Sequence, residues 1–267
     1  MINSHIPVML DEVKSFIPIG KDLNLIDATF GGGGYSKAIL EEFKIKNLIA
    51  IDRDPTAKVF FNELNKKFKN IELFNEKFSK IDELIKNSKF SKESFDVIIF
   101  DLGVSSNQID NPDRGFSFQN EGPLDMKMGS SSLNAYEIIN SFEEKKLADI
   151  FFQFGEERYS RKIAQNIIKN RIKKPIESTR VLSDVIKKSV PHFNSKSKIH
   201  PATKTFQALR IYINDELNEL KIALQKSQDM LAPNGLLIIV SFQSLEDRIV
   251  KDFFNHKSGK RWRSSRH

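Results

Sequence analysis

The stretch LNLIDATFGGGGYS, Leu23 to Ser36, runs four apolar-rich residues and Asp27 into four consecutive glycines, Gly31 to Gly34. Each glycine costs backbone entropy, so a run of four requires a reason. Either the loop serves only helix packing, or something approaches its backbone more closely than a Cβ permits. The residues on either side bear on the choice. LNLIDATF (23–30) has the composition of a buried strand, and the helical spacing from Tyr35 to Phe43 follows it. A strand that runs through glycines into a helix opens a βαβ unit.

Further strands follow outward along the chain. NLIAID (47–52), IELFNEKF (71–78) and FDVIIFDLG (95–103) are separated by a helix-like segment from Thr56 to Phe68 and by polar stretches. Near-continuous apolar runs of this kind belong to strands covered on both faces, as in parallel sheets. The expected fold is α/β, a Rossmann-like doubly wound and mostly parallel sheet. The rhythm stops after residue 104. Residues 105–126 are rich in turn formers and predict a long loop, and 134–190 predict helices throughout. From Phe206, apolar residues recur at helical spacing through Leu209, Ile213, Leu217, Leu220 and Leu224, which predicts one long amphipathic helix. LAPNG (231–235) should end it, LLIIVSF (236–242) should be a buried strand, and Ser244 with Asp247 should cap a last helix. The expected organisation is a discontinuous α/β domain, 1–108 with 201–267, holding a helical insertion at 109–200.

Composition narrows the chemistry. The chain has 267 residues and no cysteine, which removes disulfides, thiolate metal sites, cysteine nucleophiles and cysteine-ligated clusters. Its five histidines lack metal-ligand spacing, so no metal site is expected. No long uncharged apolar run suggests a membrane span, and the N-terminal residues lack the pattern of an export signal, so a cytoplasmic location is the default expectation. The net charge of +7 is unevenly placed: 156–204 carries +9, 256–267 carries +5, and the remainder carries −7. Such asymmetry fits either a polyanion-binding side or simply solvated helix faces.

The glycines fall at the carboxyl end of the first strand, where doubly wound sheets bind ligands, and open a helix whose N–H groups face out. Twenty-one residues beyond Gly31, Asp52 ends the second strand, placed to accept hydrogen bonds from ribose hydroxyls. A dinucleotide fingerprint fits Gly31 and Gly33 but fails at Ser36, and a phosphate loop fails at Tyr35-Ser36-Lys37. The acid-led form Asp27-x-Thr-x-Gly-x-Gly suits S-adenosylmethionine best. A nucleotide-dependent oxidoreductase and a loop that serves only packing remain alternatives. Asp101, ending FDVIIFD, either anchors a loop or faces the methyl acceptor.

With HIPVMLDEV, DATFGGGGYS, AIDRDP, DLGVSSNQID, RGFSF, FGEERYSRKIA, HPATKTFQALRIYIN and SFQSLEDRIVK all in order, the chain resembles the RsmH (formerly MraW) family of bacterial ribosomal RNA methyltransferases. The resemblance implies a class I methyltransferase fold and methyl transfer from S-adenosylmethionine to the exocyclic N4 of a cytidine in the decoding region of 16S ribosomal RNA. It further implies action on an assembled or assembling small subunit; a homodimer is an open alternative. Carried over by motif, Gly33, Gly34, Tyr35, Asp52, Phe78, Asp101 and Gln108 would contact the cofactor; Phe78 and Gln108 come from resemblance alone. Three departures stand out. Tyr35 and Gln243 occupy positions where many members have histidine. The chain also stops at His267, before the closing strands usual in the family, so LLIIVSF is expected to be an apolar, exposed sheet edge.

Without a thiolate, covalent attack on a pyrimidine ring is excluded and direct displacement by an amine, oxygen or nitrogen acceptor remains. The aromatic clamp that other amino-methyltransferases carry after this strand is absent, since the position reads Asp101-Leu102-Gly103-Val104. Asp101, with Ser105 or backbone carbonyls, is the expected hydrogen-bond acceptor for the amine. Arg158, Arg161, Lys162, Lys169, Arg171, Lys173 and Lys174 form the densest basic run and suit either phosphate contacts or a solvated helix. Phe116 and Phe118 are expected to be loop anchors, with base stacking as the alternative. A catalytically silent RNA-binding protein is the rival from another class.

Overall fold

The computed structural model describes residues 7–191 and 200–260 and divides into two compact units, Met1–Ser105 with Leu217–His267, and Ser106–Glu216. The first unit alternates helix and strand: α1 (Leu10–Phe16), β1 (Leu23–Asp27), α2 (Gly34–Glu42), β2 (Ile45–Ile51), α3 (Ala57–Lys67), β3 (Ile71–Phe74), α4 (Ile81–Asn87) and β4 (Phe95–Asp101). The second holds α5 (Ser106–Asp110), α6 (Ala135–Ser141), α7 (Glu144–Gly155), α8 (Ser160–Arg171), α9 (Thr179–Ser189) and α10 (Ala202–Asn214). Then come α11 (Glu216–Gln228), β5 (Leu231–Val240) and α12 (Ser244–Lys257).

The five strands are parallel, in the order β3-β2-β1-β4-β5. Alternation along each strand splits its side chains between two cores. Leu25, Leu48, Val97 and Ile99 face one, with α2 and α3 residues Ile39 and Phe61. Ile26, Ile49, Ile98 and Phe100 face the other, with Ile81, Leu220 and Leu224. All five residues of β1 are buried, as expected for a central strand covered on both faces. The chain order reverses between β1 and β4, and open α/β sheets bind ligands at the carboxyl ends of the strands at such a switch point.

The strands end earlier than the apolar runs suggest, β1 at Asp27 and β3 at Phe74, although Ala28 N and Phe30 N still donate to Ile99 O and Ile51 O of the neighbouring strands. Three expectations are corrected. The long helix is two, α10 and α11, broken at Asp215, which takes φ +52° in the left-handed region that Asp tolerates. Asn214 fixes the break: its side chain bonds Met126 O (2.8 Å), Met128 N (2.9 Å) and Arg210 O (2.9 Å), and Arg210 forks onto Glu216 at 2.8 Å. LAPNG does not terminate a helix. It is an irregularity inside β5, where Leu231 pairs Phe95 and Leu236 pairs Val97, so β5 uses five residues where β4 uses two. Ser244 is the first residue of α12 rather than its cap. Glu246 reaches back instead, accepting from Phe242 N at 3.1 Å and Gln243 Nε2 at 2.9 Å.

β5 forms one edge of the described sheet, and residues 236–239 are only partly buried. In the second unit, α7, α8 and α10 pack around Leu147, Phe151, Ile163, Ile167, Phe206 and Leu209. α10 thus belongs to that unit's core, and the unit runs over 106–216 where the expected insertion ran over 109–200. The segment predicted to be a loop contains α5 and a 3₁₀ turn at Pro112–Arg114.

Candidate functional site

The site is built at the carboxyl ends of β1, β2 and β4. After β1 the chain must turn sharply into α2, and Gly33 makes the turn at φ +74°. A Cβ on Gly33 would lie 2.7 Å from the Phe30 ring, so no other residue fits that bend. The loop is tied to the neighbouring strand. Gly31 N donates to Asp52 Oδ2 at 2.6 Å, and Asp54 N donates to Asp52 Oδ1 at 2.8 Å. A carboxylate has about four lone-pair sites, so two such bonds leave acceptor capacity on both oxygens. Burial pushes the Asp52 carboxyl up to about 6, aided by the charges of Asp54 and Asp27 and opposed by its two backbone donors.

Behind the loop lies a network that spacing does not reveal. Asp27 is 1 % exposed and accepts from Ser36 Oγ (2.6 Å) and Thr29 N (3.3 Å). Thr29 Oγ1 in turn accepts from Asp101 N at 2.6 Å, joining the ends of β1 and β4. Burial raises the Asp27 carboxyl to about 6 against the pull of the Ser36 and Thr29 hydrogen bonds. Asp101 goes higher, to about 7, through burial and then the negative charges of Asp27 and Glu246. Its Oδ1 is buried with no hydrogen-bond partner in the protein. Leaving a polar atom unpaired costs about 1–3 kcal/mol, so the end of β4 holds its carboxyl at a cost to stability.

The other expected residues fall as follows. Gly34 begins α2. The Tyr35 ring is buried in the core, its hydroxyl donates to Val8 O, and burial with the Asp101 charge holds that hydroxyl protonated. Phe78 opens a 3₁₀ turn after β3 and meets the Phe100 ring edge-to-face at 5.5 Å, which leaves it half-buried beside β4. Ser105 ends the first unit, 3.5 Å from where a Cβ on Gly31 would stand. Gln108 lies on α5 in the second unit, buried. Gly31, Asp52, Asp101 and Ser105 are thus gathered around one loop, with Asp27 and Thr29 as supports that the sequence alone did not single out.

In the second unit Arg161, Lys162 and Lys169 stand exposed on α8, and Arg158, Lys173 and Lys174 are exposed just outside it. Lys174 lies 3.9 Å from Glu177. Arg171 is different: Nη1 donates to Ile139 O at 2.7 Å, so its guanidinium fastens α8 to α6. Phe116 and Phe118 pack against the unit's core. Phe118 stacks on His200 at 4.6 Å and meets Phe206 at 5.1 Å, the loop-anchor arrangement.

The arrangement offers a hydrogen-bond cradle for a nucleoside: a glycine backbone, a carboxylate with free lone pairs, and a second carboxylate joined to the loop through Thr29. The sequence agrees with such a use. Residues 2–263 match the model of the MraW methylase family. A protein of Wolbachia sp. subsp. Drosophila simulans (strain wRi) called ribosomal RNA small subunit methyltransferase H is 49 % identical over 94 % of this chain and 85 % of its own. Proteins of the same name from Caldicellulosiruptor saccharolyticus and Rickettsia massiliae are 46 % and 45 % identical, over 95 % and 97 % of this chain and 82 % of each of theirs. By the extent of these matches, the chain belongs to the MraW methylase family.

Proposed function

We propose that this protein transfers a methyl group from S-adenosylmethionine to the exocyclic N4 of a cytidine in the decoding region of 16S ribosomal RNA, within an assembled or assembling small subunit. Family membership and the names of the relatives support the substrate class. The Asp101 carboxyl, tied to the glycine loop through Thr29 at the end of β4 and raised to about 7, carries the chemistry. Gly31, Gly33, Gly34 and Asp52 would hold the cofactor, the glycine backbone admitting it closely and Asp52 accepting from its ribose hydroxyls; Tyr35, Phe78 and Gln108 follow from the family motif. Bound there, the cofactor supplies an electrophilic methyl on a cationic sulfur.

The acceptor amine is a poor nucleophile because its lone pair is delocalised into the ring. The Asp101 carboxylate would accept one of its N–H bonds and align it, and the same group would take the proton the amine gives up. An acid near 7 is matched to that duty at neutral pH. Ser105, next to the glycine loop, is a second candidate acceptor.

Incubating the purified protein with radiolabelled S-adenosylmethionine and unmodified small subunits, then mapping the labelled nucleotide, tests the assignment. Asp101→Asn should lose about 10²–10⁴-fold in kcat, beyond any change in cofactor affinity measured alongside. Label appearing elsewhere than a cytidine N4, or an undiminished variant, refutes it.

A further inference from the structure

The chain lacks an aromatic residue directly after Asp101, yet Phe242, just past the end of the adjacent strand, lies against Gly103 two residues on. Asp101 and Val240 are register partners at the ends of β4 and β5, and Leu102 N donates to Val240 O at 3.0 Å. Two residues further on each strand stand Gly103 and Phe242. Gly103 takes φ +105°, and a Cβ there would lie 3.6 Å from Phe242 Cδ2, so the ring flanks the backbone that leaves Asp101. Phe242 is 55 % exposed, so one face of its ring is open to a partner. Its backbone is fixed, because Phe242 N donates to the buried Glu246 carboxylate, whose other oxygen holds Gln243 Nε2.

We propose that Phe242 is the platform on which the acceptor pyrimidine stacks, its ring replacing the missing clamp and setting the exocyclic amine before Asp101. The proposal rests on the methyl-transfer reading above and adds a substrate contact to it. A base has a flat apolar face and a polar edge. Phe242 offers a flat apolar partner with nothing polar to satisfy, and the Asp101 carboxylate supplies the acceptor for the edge. Phe116 and Phe118, the other aromatics considered for stacking, are engaged in their own unit's core. Glu246 then acts as a positioning residue, holding the segment that carries the ring.

Substitution in the full chain separates stacking from packing. Phe242→Leu keeps apolar bulk without a π-face; Phe242→Tyr keeps both. The Leu and Ala variants should lose between about five- and 150-fold in kcat/KM for small-subunit RNA, the range for removing one base–aromatic stack. The Tyr variant should retain activity, and all three should bind S-adenosylhomocysteine as the parent does. A Leu variant as active as the parent overturns the proposal. A second measurement does not depend on turnover. In a Trp262→Phe background, which removes the chain's single tryptophan, Phe242→Trp should be quenched by a cytidine-containing RNA oligonucleotide and not by the same oligonucleotide with an abasic target. Equal quenching by both overturns it. Failure of the parent to methylate RNA counts against the reaction instead, leaving the quenching readout to judge the contact.

Discussion

Asp52 accepts two backbone N–H groups and still has lone pairs to offer, and it accepts most strongly while ionised. Burial has moved that ionisation to about pH 6, so the direction of the pH effect is set. Above 6 the carboxylate can accept ribose hydroxyls; below it the proton occupies an acceptor site. Cofactor affinity, measured calorimetrically, should fall as pH drops from 8 to 5. Asp52→Asn should weaken binding by roughly 10- to 100-fold at pH 8, the cost of losing a charge-assisted hydrogen bond, and flatten the pH dependence. An affinity that rises on acidification contradicts the assignment. Gly33→Ala meets a different barrier. The left-handed bend and the Phe30 ring together should cost about 2 kcal/mol or more, seen as a drop of several degrees in Tm. Glycines after an apolar run, and acids ending such runs, were legible because spacing alone places them at strand ends. The Ser36–Asp27 and Thr29–Asp101 bonds were not, since the second joins residues 72 apart and depends on which strands become neighbours.

At the scale of elements, α8 separates two kinds of basic residue that the sequence presents as one run. Arg161, Lys162 and Lys169 are exposed, whereas Arg171 is bonded to Ile139 O across to α6. If the first three contact phosphate, changing all three to Ala should reduce the slope of log affinity for RNA against log salt by about 2, at about 0.7 per single-strand contact. Filter binding between 50 and 200 mM salt, about the range over which such contacts are weakened, reads this. An unchanged slope places the RNA grip elsewhere. Arg171→Ala should instead lower stability by about 1–3 kcal/mol, the cost of a lost hydrogen bond and an unpaired carbonyl. The strands were legible from their double-sided apolar runs. The break between α10 and α11 was not, because the apolar spacing continues across Asp215; what interrupts the helix is Asn214 bonding the 126–128 segment. LAPNG likewise carries the turn signals of a helix stop, yet β4 pairs with residues on both sides of it.

At the scale of the whole molecule, three carboxylates at the strand ends of the first unit, Asp27, Asp52 and Asp101, all ionise later than usual because the fold takes them out of water. Each binds its proton more tightly folded than unfolded, so each contributes stability at low pH that is lost as pH rises. For Asp27 the window runs from its unfolded value of 3.8 to about 6, and the stake is about 3 kcal/mol. Exposed carboxylates paired with lysines, such as Glu41 and Glu76, are shifted downward and oppose the trend, so the raw stability curve mixes both. A difference isolates it. Asn is neutral at every pH and retains one acceptor for the Ser36 or Thr29 bond. The stability of Asp27→Asn relative to the parent should therefore improve between pH 4 and 7 by up to about 3 kcal/mol, whatever its offset at pH 4. Denaturant unfolding of both proteins at each pH measures it. A difference that stays constant means Asp27 is solvated enough to ionise normally, and the stored strain at the strand ends is not there. If it changes as expected, saturating cofactor should narrow the gap only in so far as it binds the two proteins unequally, since a ligand at 100 times its Kd adds about 2.7 kcal/mol to any fold that binds it.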